Sequence, residues 1–395
     1  MAFPSMHWQA RAPLGDNALQ SLLISALRGL AALQVAASHL RAEIYPGLRT
    51  LEEPTLAYVG LAFFTGFAHQ AVVVFFLVSG WLVGGSLMNR FGKPQALAHY
   101  AIDRFTRFWT VLLPTLLLTL GVGLLVGAAA TGPMDFDPAN EFSASSFVGN
   151  LVGLQTVSVP DYGGNYPLWS LAHETWYYIQ FPLLLLVLAG GGVLRRAAAA
   201  AALVLLLSTL RDMISLYFAI WLLGAAFSRI RIDCGNVLRG ALLLVSLGLF
   251  VFYRLRGNND DLVPGSFVQD LICSLPFLLL LASLHQQVDA GSPAYVRTNR
   301  VAVFFSEFSF SLYVLHIPVI ELMRYLGRQF LGRDRLNPAV ATDYLWYFFV
   351  LGAIVAASYL FYLLFERHTI RIRNSLKKLL LAPRAKAVHI ALSPD

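Results

Sequence analysis

The sequence predicts an all-α integral membrane protein: a bundle of about ten transmembrane helices with the N- and C-termini in the cytoplasm. Three observations carry that reading. The 395 residues are 57% hydrophobic and only 13% charged, whereas soluble domains are about 25% charged. Apolar runs that approach or exceed the ~18–20 residues needed to cross a bilayer recur along the whole chain. The basic residues also segregate. With the N-terminus inside, twenty of the 29 Lys and Arg fall on the cytoplasmic side, counting Arg28, and nine fall on the other. That is the positive-inside pattern, so much of the net charge of +7 is a topology signal and does not call for a nucleic-acid partner.

In order along the chain, the spans are expected near residues 20–42, 60–88, 103–128, 166–189, 196–211, 213–230, 237–254, 267–286, 302–326 and 343–366. Segment 143–157 is apolar but short, which suits a re-entrant or interfacial helix. Residues 108–194 hold no Lys or Arg, and their acidic loop with Asp135, Asp137, Glu141 and Asp161 is expected outside. Arg367, Arg371, Arg373, Lys377, Lys378, Arg384 and Lys386 form a basic cytoplasmic tail that can also meet anionic lipid heads. The organisation is therefore a short cytoplasmic N-terminus over 1–19, one transmembrane domain over 20–366 and the tail over 367–395. Arg11, Asp16 and Arg28 in and before the first apolar run argue against a cleaved signal peptide. Cys234 and Cys273 give no disulfide framework and no metal-ligand cluster, and no zinc or haem spacing or fixed-period repeat is present.

Ionisable groups inside a membrane are costly, so each is a candidate for function. The first span, LRGLAALQVAASHL, carries Arg28 and His39. Eleven residues apart, they return to within about 20° of one helix face, about 16 Å apart along the axis. A cation near the cytoplasm can hold a phosphate, and a deeper histidine can act as a base. The competing reading is a snorkelling arginine and a hydrogen-bonded core histidine. Arg104 and Arg107, at i and i+3 at the start of the third span, share a face; a pair of guanidinium groups suits phosphate, though positive-inside anchoring explains them as well.

The fourth span, NYPLWSLAHETWYYIQFPLLLL, places Ser170, Glu174, Tyr177 and Tyr178 on one face, with His173 one position off it. A carboxylate among hydroxyls can orient a histidine or take its proton. Trp169, Trp176, Tyr177 and Tyr178 form an interfacial belt or stack on sugar rings. In the second span Ser79, Gly80, Gly84 and Gly85 permit close helix approach. In the ninth, Ser309, Tyr313 and His316 share a face and Pro318 is placed to kink the helix and free a carbonyl; by spacing alone a satisfied core histidine is the favoured reading of His316.

Taken together these stretches resemble the acyltransferase-3 family of integral-membrane acyltransferases. The Arg–ten residues–His of the first span, FFLVSGWLVGG, RFTR, PLWSLAHETWYY, FSFSLYVLHIP and the final FER are similar to the family's motifs in order and spacing, across residues 27–366. Ala26 stands where relatives often have Gly, and His173 replaces a commoner apolar or acidic neighbour of the glutamate. The resemblance implies ten spans and transfer of an acyl group, most often acetyl, from cytoplasmic acyl-coenzyme A. The acceptor it implies is a hydroxyl of a surface glycan or its lipid-linked precursor, as in O-acetylation of a polysaccharide or exopolysaccharide. Arginine outnumbers lysine 25 to 4, which suits a GC-rich bacterial genome, so a bacterial inner membrane is expected, with acyl-CoA as co-substrate and no bound cofactor or metal. The extra esterase-like domain of some relatives is not expected here.

On that basis His39 is expected as the base, with Glu174 orienting it or with an acyl-histidine intermediate. Arg28, Arg104 and Arg107 are expected on the donor's phosphates. Ser79, Ser170, Tyr177, Tyr178, Tyr313 and His316 are expected to line the substrate cavity. A secondary transporter or glycan-lipid flippase is the alternative from another class, although no pair of repeated halves with matching broken spans is visible. A non-catalytic sensor with a degenerate site is the third.

Overall fold

The computed structural model describes residues 4–11, 19–129, 136–137, 139–256 and 262–381. Asp16, Asp135, Arg384 and Lys386 lie outside the described residues. The chain begins with a short strand, β1 (Ser5–Trp8), and helix α1 (Leu19–Ile44). Helix α2 (Leu56–Phe64) is capped by Thr55, whose Oγ1 accepts from the amide of Tyr58. It leads into α3 (Ala68–Ser79), a π-helical turn over Gly80–Gly84, and α4 (Gly85–Arg90). Then come α5 (Ala96–Val126), the short α6 (Ala144–Leu151), α7 (Trp169–Ala189), α8 (Val193–Thr209) and α9 (Asp212–Phe227). A second strand, β2 (Ile230–Asp233), precedes α10 (Asn236–Arg256), α11 (Pro264–Ser283), α12 (Pro293–Glu307), α13 (Ser309–Leu331), α14 (Ala341–Leu364) and α15 (Thr369–Leu381).

Six helical stretches are long and apolar enough to cross a bilayer: Leu19–Thr50, Leu56–Arg90, Ala96–Val126, Asn236–Arg256, Pro264–Ser283 and Ala341–Leu381. Helices α12 and α13, bent by 54° across Phe308, add a seventh if they form one span. Six or seven of the ten expected spans thus stand out clearly by length and apolarity among the described residues. The physical reasons are local. Helix α7 spends its first half on polar residues, and α8 and α9, at 17 and 16 residues, reach only about 24–26 Å at 1.5 Å per residue, short of the ~30 Å hydrocarbon core. Segment 143–157 contains the eight-residue α6, as its length suggested.

A two-stranded ribbon accompanies the helices. β1 and β2 pair antiparallel, Ser5 opposite Asp233 and Trp8 opposite Ile230. His285, just past α11, reaches Asp233 at 2.9 Å. These contacts gather the N-terminal segment, the α9–α10 connection and the end of α11 at one end of the bundle.

Helix α1 packs against α3, α12, α13 and α14, and α5 packs against α13 and α15. One apolar core joins α3, α5, α7, α9 and α11; a second joins α1, α13 and α14. Of the four in-helix prolines among the described residues, Pro114, Pro182, Pro276 and Pro318, two free carbonyls that side chains take. Pro318 cannot donate to the carbonyl of Val314, which instead accepts from Asn165 Nδ2 at 2.9 Å. Pro182 likewise releases the carbonyl of Tyr178, which accepts from the Tyr100 hydroxyl at 3.2 Å. The freed carbonyl expected at Pro318 is therefore present, and it ties the loop before α7 to the middle of α13.

Candidate active site

Polar residues of five helical segments converge on one half-open cavity of about 390 Å³ between α1, α3–α4, α5, α7 and α13. Its wall includes Arg28, Ser79, Ser86, Arg104, Arg107, Ser170, Glu174, Tyr178, Ser309 and Tyr313, with Phe75, Phe76, Phe108 and Phe310 between them. Eight of the residues singled out from the sequence as site candidates are in this list. Arg28 comes from α1, Ser79 from the last turn of α3, Arg104 and Arg107 from successive turns of α5, Ser170, Glu174 and Tyr178 from one face of α7, and Tyr313 from α13.

The three arginines are not equivalent. Arg107 Nη1 donates to Glu366 Oε1 at 2.7 Å. Glu366 is buried, and its other oxygen accepts from the amide of Ser311 at 3.0 Å and the Ser311 hydroxyl at 2.6 Å. The Arg107 guanidinium also lies 4.9 Å from the centroid of the Phe310 ring. Its position is thus fixed by a carboxylate from the FER stretch, while it still lines the cavity. Arg28 and Arg104 have no carboxylate within ion-pair distance among the described residues. Arg104 rests its guanidinium 5.5 Å from the Tyr178 ring centroid and leaves a buried Nε without a partner. Of the three arginines on the cavity wall, these two lack an ion-pair partner among the described residues.

Among the described residues Glu174 is the one carboxylate in the cavity wall. Its Oε1 accepts from the Ser79 hydroxyl and from the Tyr178 hydroxyl, the latter at 2.6 Å. Ser79 Oγ in turn accepts from Trp221 Nε1 of α9 at 3.1 Å. Ser79 is placed by the π-helical turn that follows it. Such turns recur at functional positions because they shift side chains out of α-helical phase.

The expected Glu174–His39 contact does not form. His39 Nδ1 is 2.8 Å from His316 Nε2, the rings lie 5.1 Å apart, and the edge of Tyr166 closes on His39 at 4.9 Å between centroids. The reason is register: Glu174 is held by Ser79 and Tyr178 on the α3 side of α7, while His39 faces α13. His316, fully buried, also faces Leu312 O with its Nδ1 at 3.3 Å. A carbonyl can only accept, so His316 Nδ1 carries a proton and its Nε2 is an acceptor. His39 then donates through Nδ1, and the lone pair of neutral His39 is on Nε2. The histidine pair adjoins the cavity through Tyr313, whose ring is 6.0 Å from that of His316 and whose hydroxyl is 2.7 Å from Ser170 Oγ.

Tyr177, expected in the cavity, is not on the wall of this one. It is fully buried among Phe76, Phe218 and Trp221. His173 points away from the Glu174 face, as its phase required, and its Nδ1 meets the Trp169 carbonyl at 3.0 Å. Three contributors were not singled out from the sequence: Trp221, Tyr166 and the Arg107-binding role of Glu366. A second polar cluster also escaped it: His69 Nε2 meets the Asp270 carboxylate at 2.8 and 2.9 Å, and the Tyr217 hydroxyl donates to Asp270 at 2.5 Å. The available signal was Asp270 itself, an acidic residue within an apolar span.

Bundle and cavity together define a polytopic membrane protein with an arginine-rich chamber beside a buried histidine pair. Residues 23–363 match the acyltransferase domain of the acyltransferase-3 family, and the chain belongs to that family of membrane acyltransferases. Neither a curated protein nor a solved structure matches the chain.

Proposed function

We propose that this protein transfers an acyl group, acetyl in the simplest case, from acyl-coenzyme A to a hydroxyl of a cell-surface glycan or its lipid-linked precursor, in the cytoplasmic membrane of a bacterium. The observation that carries the proposal is the pairing of two uncommitted guanidinium groups, Arg28 and Arg104, in a cavity that adjoins the His39–His316 pair. Guanidinium groups in a water-poor chamber hold phosphate by charge-assisted hydrogen bonds. The donor enters from the end that carries β1, β2 and α15, taken as cytoplasmic, and its thioester lies toward the histidines.

In the reaction His39 Nε2 takes the proton of the acceptor hydroxyl as that oxygen attacks the thioester carbon. The new C–O bond forms, the C–S bond breaks, and the imidazolium returns its proton to the departing thiolate. His316 holds His39 in the tautomer that leaves Nε2 basic, the positioning role that an acid fills in a triad. Glu174, held by Ser79 and Tyr178, lies where it can accept a hydrogen bond from an acceptor hydroxyl or from the pantetheine amide.

Two measurements test this. Glycans of a deletion strain compared with its parent by mass spectrometry should lack one acyl mass. Membranes carrying His39→Ala, with insertion checked by protein level, should release coenzyme A from acetyl-CoA with acceptor present at least about 10²-fold more slowly, the usual contribution of a general base. Wild-type release by that variant removes His39 from the chemistry.

A further inference from the structure

Three cations cluster just outside the cavity, around a single carboxylate. Asp103 is 3.7 Å from Arg90 Nη1, 3.5 Å from Arg373 Nε and 2.5 Å from Lys377 Nζ. Among the described residues one aspartate faces three cations, so the cluster keeps a net charge of plus two. Its side chains are reachable: that of Arg90 is 52% exposed, with Arg373 at 30% and Lys377 at 20%.

Two helices lead from the cavity to this cluster. On α5, Arg107 lines the cavity and Asp103 is four residues before it, about 6 Å further toward the helix start. On α4, Ser86 lines the cavity and Arg90 is four residues beyond it. Helix α15 brings Arg373 and Lys377 to the same place, seven and eleven residues after the Glu366 that binds Arg107. The cations thus form two tiers, an inner one of Arg28 and Arg104 on the cavity wall and an outer one of Arg90, Arg373 and Lys377 off that wall, around Asp103, the residue before Arg104.

We infer that the outer tier is a second anion subsite, for a phosphate monoester at the far end of the donor, namely the 3′-phosphate of coenzyme A. The inference rests on the acyl-CoA reading of the cavity. A donor whose diphosphate sits on the inner tier places its adenosine and 3′-phosphate toward the outer tier, where a dianionic monoester meets three cations and displaces Asp103 as their partner. An acyl donor lacking that phosphate forgoes this contact, so the subsite selects coenzyme A thioesters over pantetheine thioesters. An anionic lipid headgroup offers the same phosphate chemistry, and the experiment separates the two sources.

The test is calorimetric binding of coenzyme A and of 3′-dephospho-coenzyme A to the full-length chain in lipid-free neutral detergent. The wild type should bind coenzyme A about tenfold more tightly or better, as expected for charge-assisted hydrogen bonds. Arg373→Gln with Lys377→Gln should bring coenzyme A down to the dephospho level and leave dephospho-coenzyme A unchanged. Arg28→Gln should weaken both ligands alike. Asp103→Asn guards against a mere loosening of α15: it breaks the same ion pairs yet frees the cations, so the preference for coenzyme A should persist or grow. Equal binding of both ligands by the wild type overturns the subsite. So does a double variant that weakens both equally, or one that changes only binding to vesicles of phosphatidylglycerol. If the wild type binds neither ligand, the acyl-CoA reading itself falls, and the subsite falls with it.

Discussion

Arg28 and His39 share a helix face, but the surroundings give them different chemistry. Arg28 reaches a chamber where among the described residues no carboxylate pairs with it, while His39 is locked by a neighbouring ring. The lock makes His316 testable apart from His39. His316→Ala leaves His39 Nδ1 without its acceptor and should lower the turnover number about 10-fold or more, with little change in the KM for acetyl-CoA. His316→Gln, whose amide oxygen can accept from Nδ1, should recover part of the loss. Equal loss in both variants would reduce His316 to packing. A second residue-scale test lies in the loop before α7. Burial, and then the charge of Glu141, push the Asp161 carboxyl up from 3.8 to about 7. Its folded-state pKa is above its unfolded value, so the folded loop holds the extra proton between those limits. The stabilising contribution is complete below about pH 4 and is lost as pH rises through about 7. Amide exchange across 152–165 should therefore quicken between pH 5 and 8 beyond the intrinsic rate, and Asp161→Asn should remove that excess.

Among the elements, the π-helical span of α3–α4 and helix α9 depend on each other. Gly80 and Gly224 lie where the two backbones touch: a Cβ at Gly80 would run into the carbonyl oxygen of Trp221, and one at Gly224 into that of Leu77. This contact carries Trp221 to Ser79 and so sets the hydroxyl that Glu174 accepts from. Gly80→Ala should cost about 1–3 kcal/mol through overpacking, seen as a lower thermal midpoint in detergent, and should reduce activity even where the protein stays folded. Gly85→Ala meets only the Ser228 side chain and should be milder. Small residues in FFLVSGWLVGG were readable as a close-approach signal, and so was the common face of Ser170, Glu174 and Tyr178, because helical phase is a property of one segment. Which helices face each other is not. Nothing in the spacing of Glu174 tells whether it meets His39 or Ser79, and the choice of His316 as the partner depends on how α1 and α13 pack. Glu366 was visible only as part of a motif; its use as the anchor of Arg107 required the return of the chain to α5. The strands were missed because four residues of SMHW and four of IRID have no periodicity long enough to read.

For the whole molecule, the distribution of cations and the gathering of chain ends make one topological statement that can be measured. The β1–β2 ribbon, His285 and Cys234 lie at one end, where twenty of the 29 basic residues are expected. Arg324 and Arg328 lie in the second half of α13, past Pro318, and their ion pairs run to Glu43 at the end of α1, to Glu321, and to Asp334 in the loop after α13. If the first end is cytoplasmic, the acyl-CoA pool reaches the arginine chamber directly, and the loop before α7 faces the glycan. The chain carries its own probe for this. Cys273 is buried, whereas Cys234 is partly exposed beside β2. A membrane-impermeant maleimide should leave Cys234 unmodified in intact spheroplasts and modify it in inverted vesicles. In a Cys234→Ser background, Arg328→Cys should react the opposite way, its side chain being half exposed. Labelling of Cys234 from outside would reverse the bundle. The cation tiers and α15 would then face away from the coenzyme A pool, and the donor would have to be carried across the membrane before it could bind.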